Sequence, residues 1–190
     1  MKKFTFLMGL LFPGFFCMQT HAQTQEEMQK WMDYMTPSDI HKMIASWDGT
    51  WNEDVTMWMG PGAPPMQMKT TSENKMLLDG RYQEAKHEGN FNGMPFQGMS
   101  VLGFDNARKI FFYSWIDNFG TGMIYMEGTW DPAKKTINLK GKMTDPMSGK
   151  LIDLREVITI VDDDTQLMEQ YTLQDGKEFK SMELTSKRKK

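Results

Sequence analysis

The sequence predicts an all-β protein: an antiparallel, up-and-down β-barrel of about ten strands, with an N-terminal helical lid. Three observations predict it. From Thr50 onward, apolar and polar residues alternate with a period of two. The alternating segments are separated by short Gly, Asn, Asp and Pro turns. No long crossover interrupts them, so sequential neighbours pair antiparallel. The pattern is plainest from Lys109 to Trp130, two strands joined by a tight turn at Asn118-Phe119-Gly120. An open sheet of so many strands exposes two unpaired edges, and closure removes them. A barrel of this size has room for a small ligand.

The N-terminus is read as a secretory signal over residues 1–22. Lys2 and Lys3 give a positive start, Phe4 to Phe16 an apolar core, and Thr20-His-Ala22 a small-x-small site before Gln23. The expected location is therefore periplasmic or extracellular. Lipid anchoring at Cys17 is disfavoured, because Phe15 and Phe16 are bulky where small residues are needed. Cleavage removes the single cysteine, leaving no thiol, disulfide or Cys-ligated metal. Loss of two lysines takes the formal net charge from −3 to −5. The one cationic cluster is Lys187-Arg-Lys-Lys190, so a nucleic-acid partner is not expected. No later segment approaches the ~20 apolar residues of a transmembrane helix.

Residues 23–48 read as a helical segment and 49–190 as the barrel. Met28, Trp31, Met32 and Met35 recur at helical spacing within an otherwise polar stretch. Thr36-Pro-Ser-Asp39 is a helix-start signal, with Thr36 as the expected cap. Ile40, Met43, Ile44 and Trp47 then share one face, and Gly49 ends the helix. The pair is expected to lie across one end of the barrel.

Strands are predicted at 50–59, 66–77, 81–91, 94–104, 109–117, 122–130, 135–144, 150–161, 166–174 and 177–187. Asp79-Gly80, Asn92-Gly93 and Asp175-Gly176 favour the positive φ that two-residue hairpins need. Gly89, Gly98, Gly103, Gly128 and Gly141 fall inside strands and are read as sites of bulges or bends.

Several segments follow one another in a familiar order: Leu78-Asp-Gly-Arg-Tyr82, Phe96-Gln-Gly98, Gly103-Phe-Asp105, Trp115-Ile-Asp-Asn-Phe-Gly-Thr-Gly122, Asp145-Pro-Met-Ser-Gly149 and Gly176-Lys-Glu178. From about Ser38 to Lys189 the chain resembles a bacterial family, domain of unknown function 1579. The resemblance implies a lipocalin-like, calycin-type barrel in a secreted protein. Gly49-Thr-Trp51 resembles the first-strand motif of lipocalins, and it implies that Arg188 packs on Trp51. It carries over no catalytic residue. A related barrel type binds haem through a C-terminal histidine. This chain has none after His87, so no cofactor is expected.

Few residues offer chemistry. His41 reads as solvated in the first helical turns. His87, within Gln83-Glu-Ala-Lys-His-Glu88, reads as part of an exposed charged strand. A zinc site would have only His87 with Glu84, Glu88 or Asp117, at spacings that match no motif. One face of the eighth strand carries Ile152, Leu154, Glu156, Ile158 and Ile160; the other carries Arg155. Arg155 and Glu169 form a buried pair if they point inward, or face water if they do not. The expected ligand lining combines Trp51, Glu53, Arg81, Tyr113, Trp115, Asp117, Arg155, Glu169 and Tyr171. Methionine is frequent, with 20 in the chain. Met57, Met59, Met66 and Met68 flank a Pro/Gly loop, where thioethers would suit Cu(I); the plainer reading is adaptable packing.

The function these features favour is binding of a small hydrophobic or amphipathic molecule inside the barrel. Three alternatives stand beside it. One is an enzyme using carboxylates such as Glu53, Asp117 or Glu169 at the barrel mouth. The second is an envelope interaction protein with a filled barrel. The third is Cu(I) binding. The sequence says nothing of oligomeric state.

Overall fold

The structure, a computed structural model, describes residues 20–174 and 176–190, with side chains from Thr24 onward except that of Gln174. Residues 1–19, with Cys17 and most of the expected signal segment, fall outside these residues, as does Asp175. Two compact units divide at Met35/Thr36. The first contains α1 (Thr20–Met35), whose side chains from Thr24 onward are exposed. It is held locally by a Lys30–Glu26 ion pair and by Gln29 donating to Asp33 one turn on. No helix of the described residues is long and apolar enough to cross a membrane.

The second unit opens with α2 (Asp39–Ala45). Its cap is Ser38 rather than the expected Thr36, and Asp39 occupies the first turn. His41 is buried, contrary to the solvated reading. Its Nδ1 accepts from the Ser38 amide at 3.0 Å, and its ring packs edge-on against Phe104. Desolvation lowers its pKa, so it serves as a neutral capping group.

The remaining residues form β1 (Gly49–Met57), β2 (Met66–Leu77), β3 (Tyr82–Phe91), β4 (Met94–Asp105), β5 (Ile110–Asp117), β6 (Ile124–Asp131), β7 (Thr136–Thr144), β8 (Leu151–Asp162), β9 (Thr165–Gln174) and β10 (Lys177–Arg188). Each strand end lies within about two residues of its predicted position. Every strand pairs antiparallel with its sequence neighbour, and β10 pairs with β1 to close the barrel. That seam runs from Trp51 opposite Arg188 to Met57 opposite Met182.

The closed end is built under α2. Ile44 and Trp47 pack with Trp51, Leu102, Phe111, Met126, Ile137, Leu139 and Leu154 in one buried cluster. The helix's C-terminal carbonyls, left without helical partners, are taken up by the barrel. Gln83 donates to the Ile44 carbonyl at 2.8 Å and to Asp48 at 2.8 Å, and Trp51 Nε1 donates to the Trp47 carbonyl at 3.0 Å. Arg188 lies 4.4 Å over the Trp51 ring, as the resemblance implied. It donates to the Ser46 and Asp48 carbonyls and to the Asp164 carboxylate. One side chain therefore ties the helix exit, the seam and the β8–β9 turn together.

The strand irregularities lie elsewhere than expected. The register shifts lie at Ile160/Asp162 and Lys180/Met182, not at the internal glycines. Those glycines permit close approach instead. A Cβ on Gly98 would lie 2.6 Å from the Trp115 ring. Glycine at this position lets the indole approach the β4 backbone closely.

Candidate functional site

Alternation along the ten strands sends one set of side chains into the barrel, and they do not fill it. A cavity of about 380 Å³ runs from Trp47 under α2 to Phe119 at the opposite, open end. Its walls include Trp51, Val55, Met68, Phe96, Tyr113, Trp115, Ile124, Met126, Ile158, Met168 and Leu184. The size and the mostly apolar lining are those of small-molecule pockets.

Set into this apolar wall are two carboxyl groups in different settings. Glu53, from β1, is buried. Its Oε2 accepts from Thr70 Oγ1 at 2.6 Å and meets His87 Nδ1 at 3.0 Å; Ser72 also donates to it. The register explains the assembly: Thr70 on β2 lies opposite Glu53, and His87 on β3 lies opposite Ser72. Burial by itself would raise the Glu53 pKa. The hydrogen bond and charge of His87, with Thr70 and Ser72, more than offset it and hold the carboxyl below its ordinary value. An ionised carboxylate only accepts, so His87 Nδ1 carries the proton in this bond. The His87 ring is fixed edge-on to Trp115, with centroids 5.0 Å apart.

Glu156, from β8, is 3 % exposed, and among the described residues no hydrogen bond or ion pair reaches its carboxyl. Its cross-strand neighbours are Leu139 and Gln170. Desolvation pushes its pKa from 4.5 to about 8, so it is largely protonated at neutral pH. The Tyr113 phenol, desolvated and near Glu156, titrates well above its ordinary value while bonding Ser100. Two amide atoms are likewise buried without a partner on lining residues, Asn74 Oδ1 and Gln166 Nε2.

The open end is framed by the β5–β6 connection. Asp117 Oδ2 accepts from Trp115 Nε1 at 2.7 Å, and its Oδ1 accepts from the Phe119 and Gly120 amides. Asn118 pins the loop to β4 through Gln97 and Pro95. Phe119 packs with Phe91 and Phe96 beside the opening. The tight turn expected here is thus a six-residue loop, 118–123, because Asp117 caps it internally.

Of the residues singled out from sequence, Trp51, Glu53, Tyr113, Trp115 and Asp117 line the cavity together. Four lie elsewhere. Arg81 sits in the β2–β3 turn and donates to the Leu78 carbonyl. Arg155 points outward, because it alternates with the buried Leu154 and Glu156. It makes a bidentate pair with Glu178 and lies 3.9 Å over the Tyr171 ring, which is also outside. Glu169 pairs with Lys180 on the same outer surface. The inward Arg155–Glu169 pair does not form. Met57 and Met68 line the cavity, but Met59 is 80 % exposed, so the four methionines do not converge. Glu84 and Glu88 lie on the face of β3 opposite His87. Among the described residues, no group of three His, Cys, Asp or Glu side chains is placed to hold a metal ion.

Sequence reasoning missed His87 and Glu156. For Glu156 a signal was present: one acid among four aliphatics on a single strand face. For His87 there was little, since its inward neighbours are Gln83 and Ala85, and the charged outward set dominates the stretch.

The sequence model of DUF1579, proteins of unknown function, matches residues 36–188, which is α2 and the whole barrel. The chain belongs to the DUF1579 family. No curated protein matches it. Among solved structures, the DUF1579 barrel is similar to the crystal structure of Rv2717c from M. tuberculosis, with a TM-score of 0.61. That match is 11 % identical and covers 82 % of this chain and 100 % of the other. At such identity the likeness shows the fold alone.

Proposed function

We propose that this DUF1579 chain is an exported carrier that takes a small amphipathic molecule into its barrel. The observation that supports it most is the interior itself. The cavity of about 380 Å³ is walled by aromatic and aliphatic side chains, yet it also faces Glu156, whose carboxyl no hydrogen bond reaches among the described residues, and the buried, unpartnered Asn74 Oδ1 and Gln166 Nε2. Unpaired buried polar groups are costly. A barrel serving only as scaffold gains by filling its middle with hydrocarbon. An apolar molecule with one or two polar groups removes both costs. It buries its body against Trp115, Phe96 and Met68, and it satisfies the stranded atoms. Export rests on the charged, apolar and small-x-small succession of residues 2–22.

The test is direct. Full-length protein expressed in a bacterium with an outer membrane is recovered from the periplasm and examined by native mass spectrometry after incubation with a lipid extract. The expected result is a mature chain beginning at Gln23, carrying one small adduct that denaturation releases. A second, solvatochromic probe, Nile red, should brighten on binding. Absence of both adduct and Nile red binding overturns the carrier reading.

A further inference from the structure

We infer that the cavity is selective for an organic amine, an ammonium group on a compact apolar body, with the Glu156 carboxylate as its counter-ion. This rests on the carrier reading above and narrows it to a ligand class. Of the side chains lining the cavity, none is lysine or arginine, while three are acidic: Glu53, Asp117 and Glu156. Two of the three are already committed. Glu53 is engaged by Thr70 and His87, and Asp117 by the loop amides and the Trp115 indole. Glu156 is left, nearly fully buried, with neutral neighbours on both adjoining strands.

The chain's own cations are kept away from Glu156. Arg155 and Lys140 face each other across β8 and β7 but stand on the outer surface, where Arg155 is held by Glu178. The geometry therefore presents a buried acid with no lysine or arginine among the described lining residues, and the one imidazole there, His87, is engaged by Glu53. A carboxylate or phosphate ligand entering here would find no lysine or arginine to neutralise it and would share the desolvated cavity with the ionised Glu53, at high cost. An alcohol gains only an ordinary hydrogen bond. An ammonium gains a charge-assisted one. Its apolar body also meets the aromatic side chains of the lining, Phe96 and Trp115 among them.

The titratable groups sharing the cavity with Glu156 are Tyr113 and Asp117 from β5, Glu53 from β1 and His87 from β3. Because Glu156 holds its proton until about pH 8, the amine enters as ammonium and that proton leaves to solvent. Amine binding therefore tightens as pH rises from neutrality toward that value, and alcohol binding does not.

The experiment uses full-length protein and three probes of one chain length: octylamine, octanol and octanoate. Each displaces Nile red, and each is titrated calorimetrically in two buffers of different ionisation enthalpy near pH 7. Octylamine is expected to bind about tenfold tighter than octanol, with octanoate weakest. It should release about one proton per molecule bound. In Glu156→Gln the three probes should converge while octanol binding persists, which also shows that the variant folds. Should that variant fail to fold, proton release and the pH slope of the wild-type protein decide the matter alone. The inference is overturned if octanoate matches octylamine, if no proton is released, or if amine preference survives Glu156→Gln. If octanol and Nile red bind while octylamine gains nothing, the carrier reading stands and the amine inference falls. If nothing binds, the carrier reading itself is lost.

Discussion

Two of the three carboxyl groups lining the cavity, Glu53 on β1 and Glu156 on β8, are buried to nearly the same degree, at 4 % and 3 % exposed. Their surroundings treat them in opposite ways. Around Glu53 the strands supply a threonine and a histidine as donors, so the charged form is the stable one. Around Glu156 they supply leucine, glutamine and desolvation, so the neutral form is. Burial alone therefore says little about what a carboxyl does; the donors that register brings to it decide. The contrast also separates structure from function. Glu53 belongs to a network the fold completes by itself. Glu156 is a cost the fold bears, which fits a group held ready for something other than folding.

The largest expected effect breaks the Glu53 side of this comparison. Glu53→Gln keeps the shape but replaces the charge-assisted contact to His87 and turns an amide N–H toward donors. We expect a loss of about 3 kcal/mol at neutral pH, read by urea unfolding. Because the folded-state pKa of Glu53 is depressed, its contribution is present above the ordinary glutamate value and is lost as pH falls through the folded value. The destabilisation by Glu53→Gln should therefore shrink in acid. A variant as stable as wild type at neutral pH would show that His87 and Thr70 give Glu53 nothing.

Glu156→Gln should do the reverse. The folded-state pKa is raised, from 4.5 to about 8, so the folded state retains a proton that the unfolded chain releases. Stability is then highest below the ordinary value and falls as pH rises between the two. The slope is about 1.4 kcal/mol per pH unit at most. Glu156→Gln removes that slope and gains on wild type as pH increases. Denaturant midpoints measured from mild acid to mild alkali test this, and parallel curves for the two proteins would refute it.

These two sites also show what the sequence could and could not disclose. Strand positions were legible because alternation and the Asn-Gly and Asp-Gly turns are local signals. Arg188 on Trp51 came through resemblance. The partnership of Glu53, Thr70 and His87 depends on three strands aligning in register, which no short stretch encodes. Arg155 attracted notice as a charge on a β8 face with Leu151 and Val157, whereas Glu156, among aliphatics, was the inward one. The side chain that alternates with deeply buried Leu154 and Glu156 has to point away, and only the closed barrel fixes which face is which.

Gly98 offers a smaller, steric test of the cavity wall beside His87. A methyl there would meet the Trp115 indole at 2.6 Å, and that ring has Phe96 and His87 against it. Gly98→Ala should cost about 1–3 kcal/mol and shift the ring into the cavity. Thermal unfolding gives the first quantity and tryptophan fluorescence the second. Unchanged stability together with an unchanged emission spectrum would mean that the wall yields elsewhere and that Trp115 is not held by β4.

The smallest effect is expected outside the barrel, where the comparison can be sharpened with a pair that has better geometry than either buried site. Arg155 contacts Glu178 through two bonds of 2.7 Å and covers the Tyr171 ring. Its side chain is 30 % exposed and that of Glu178 45 %, so water already solvates both ions and competes for them. Such pairs contribute less than ~1 kcal/mol, and salt weakens them. Arg155→Ala should therefore change stability by less than Gly98→Ala does, lose most of that effect at high ionic strength, and leave Nile red binding as it was. A loss comparable to that of Glu53→Gln would mean that the outer surface, not the interior, sets the stability of the barrel, because distance and angle would then count for more than the solvent around them.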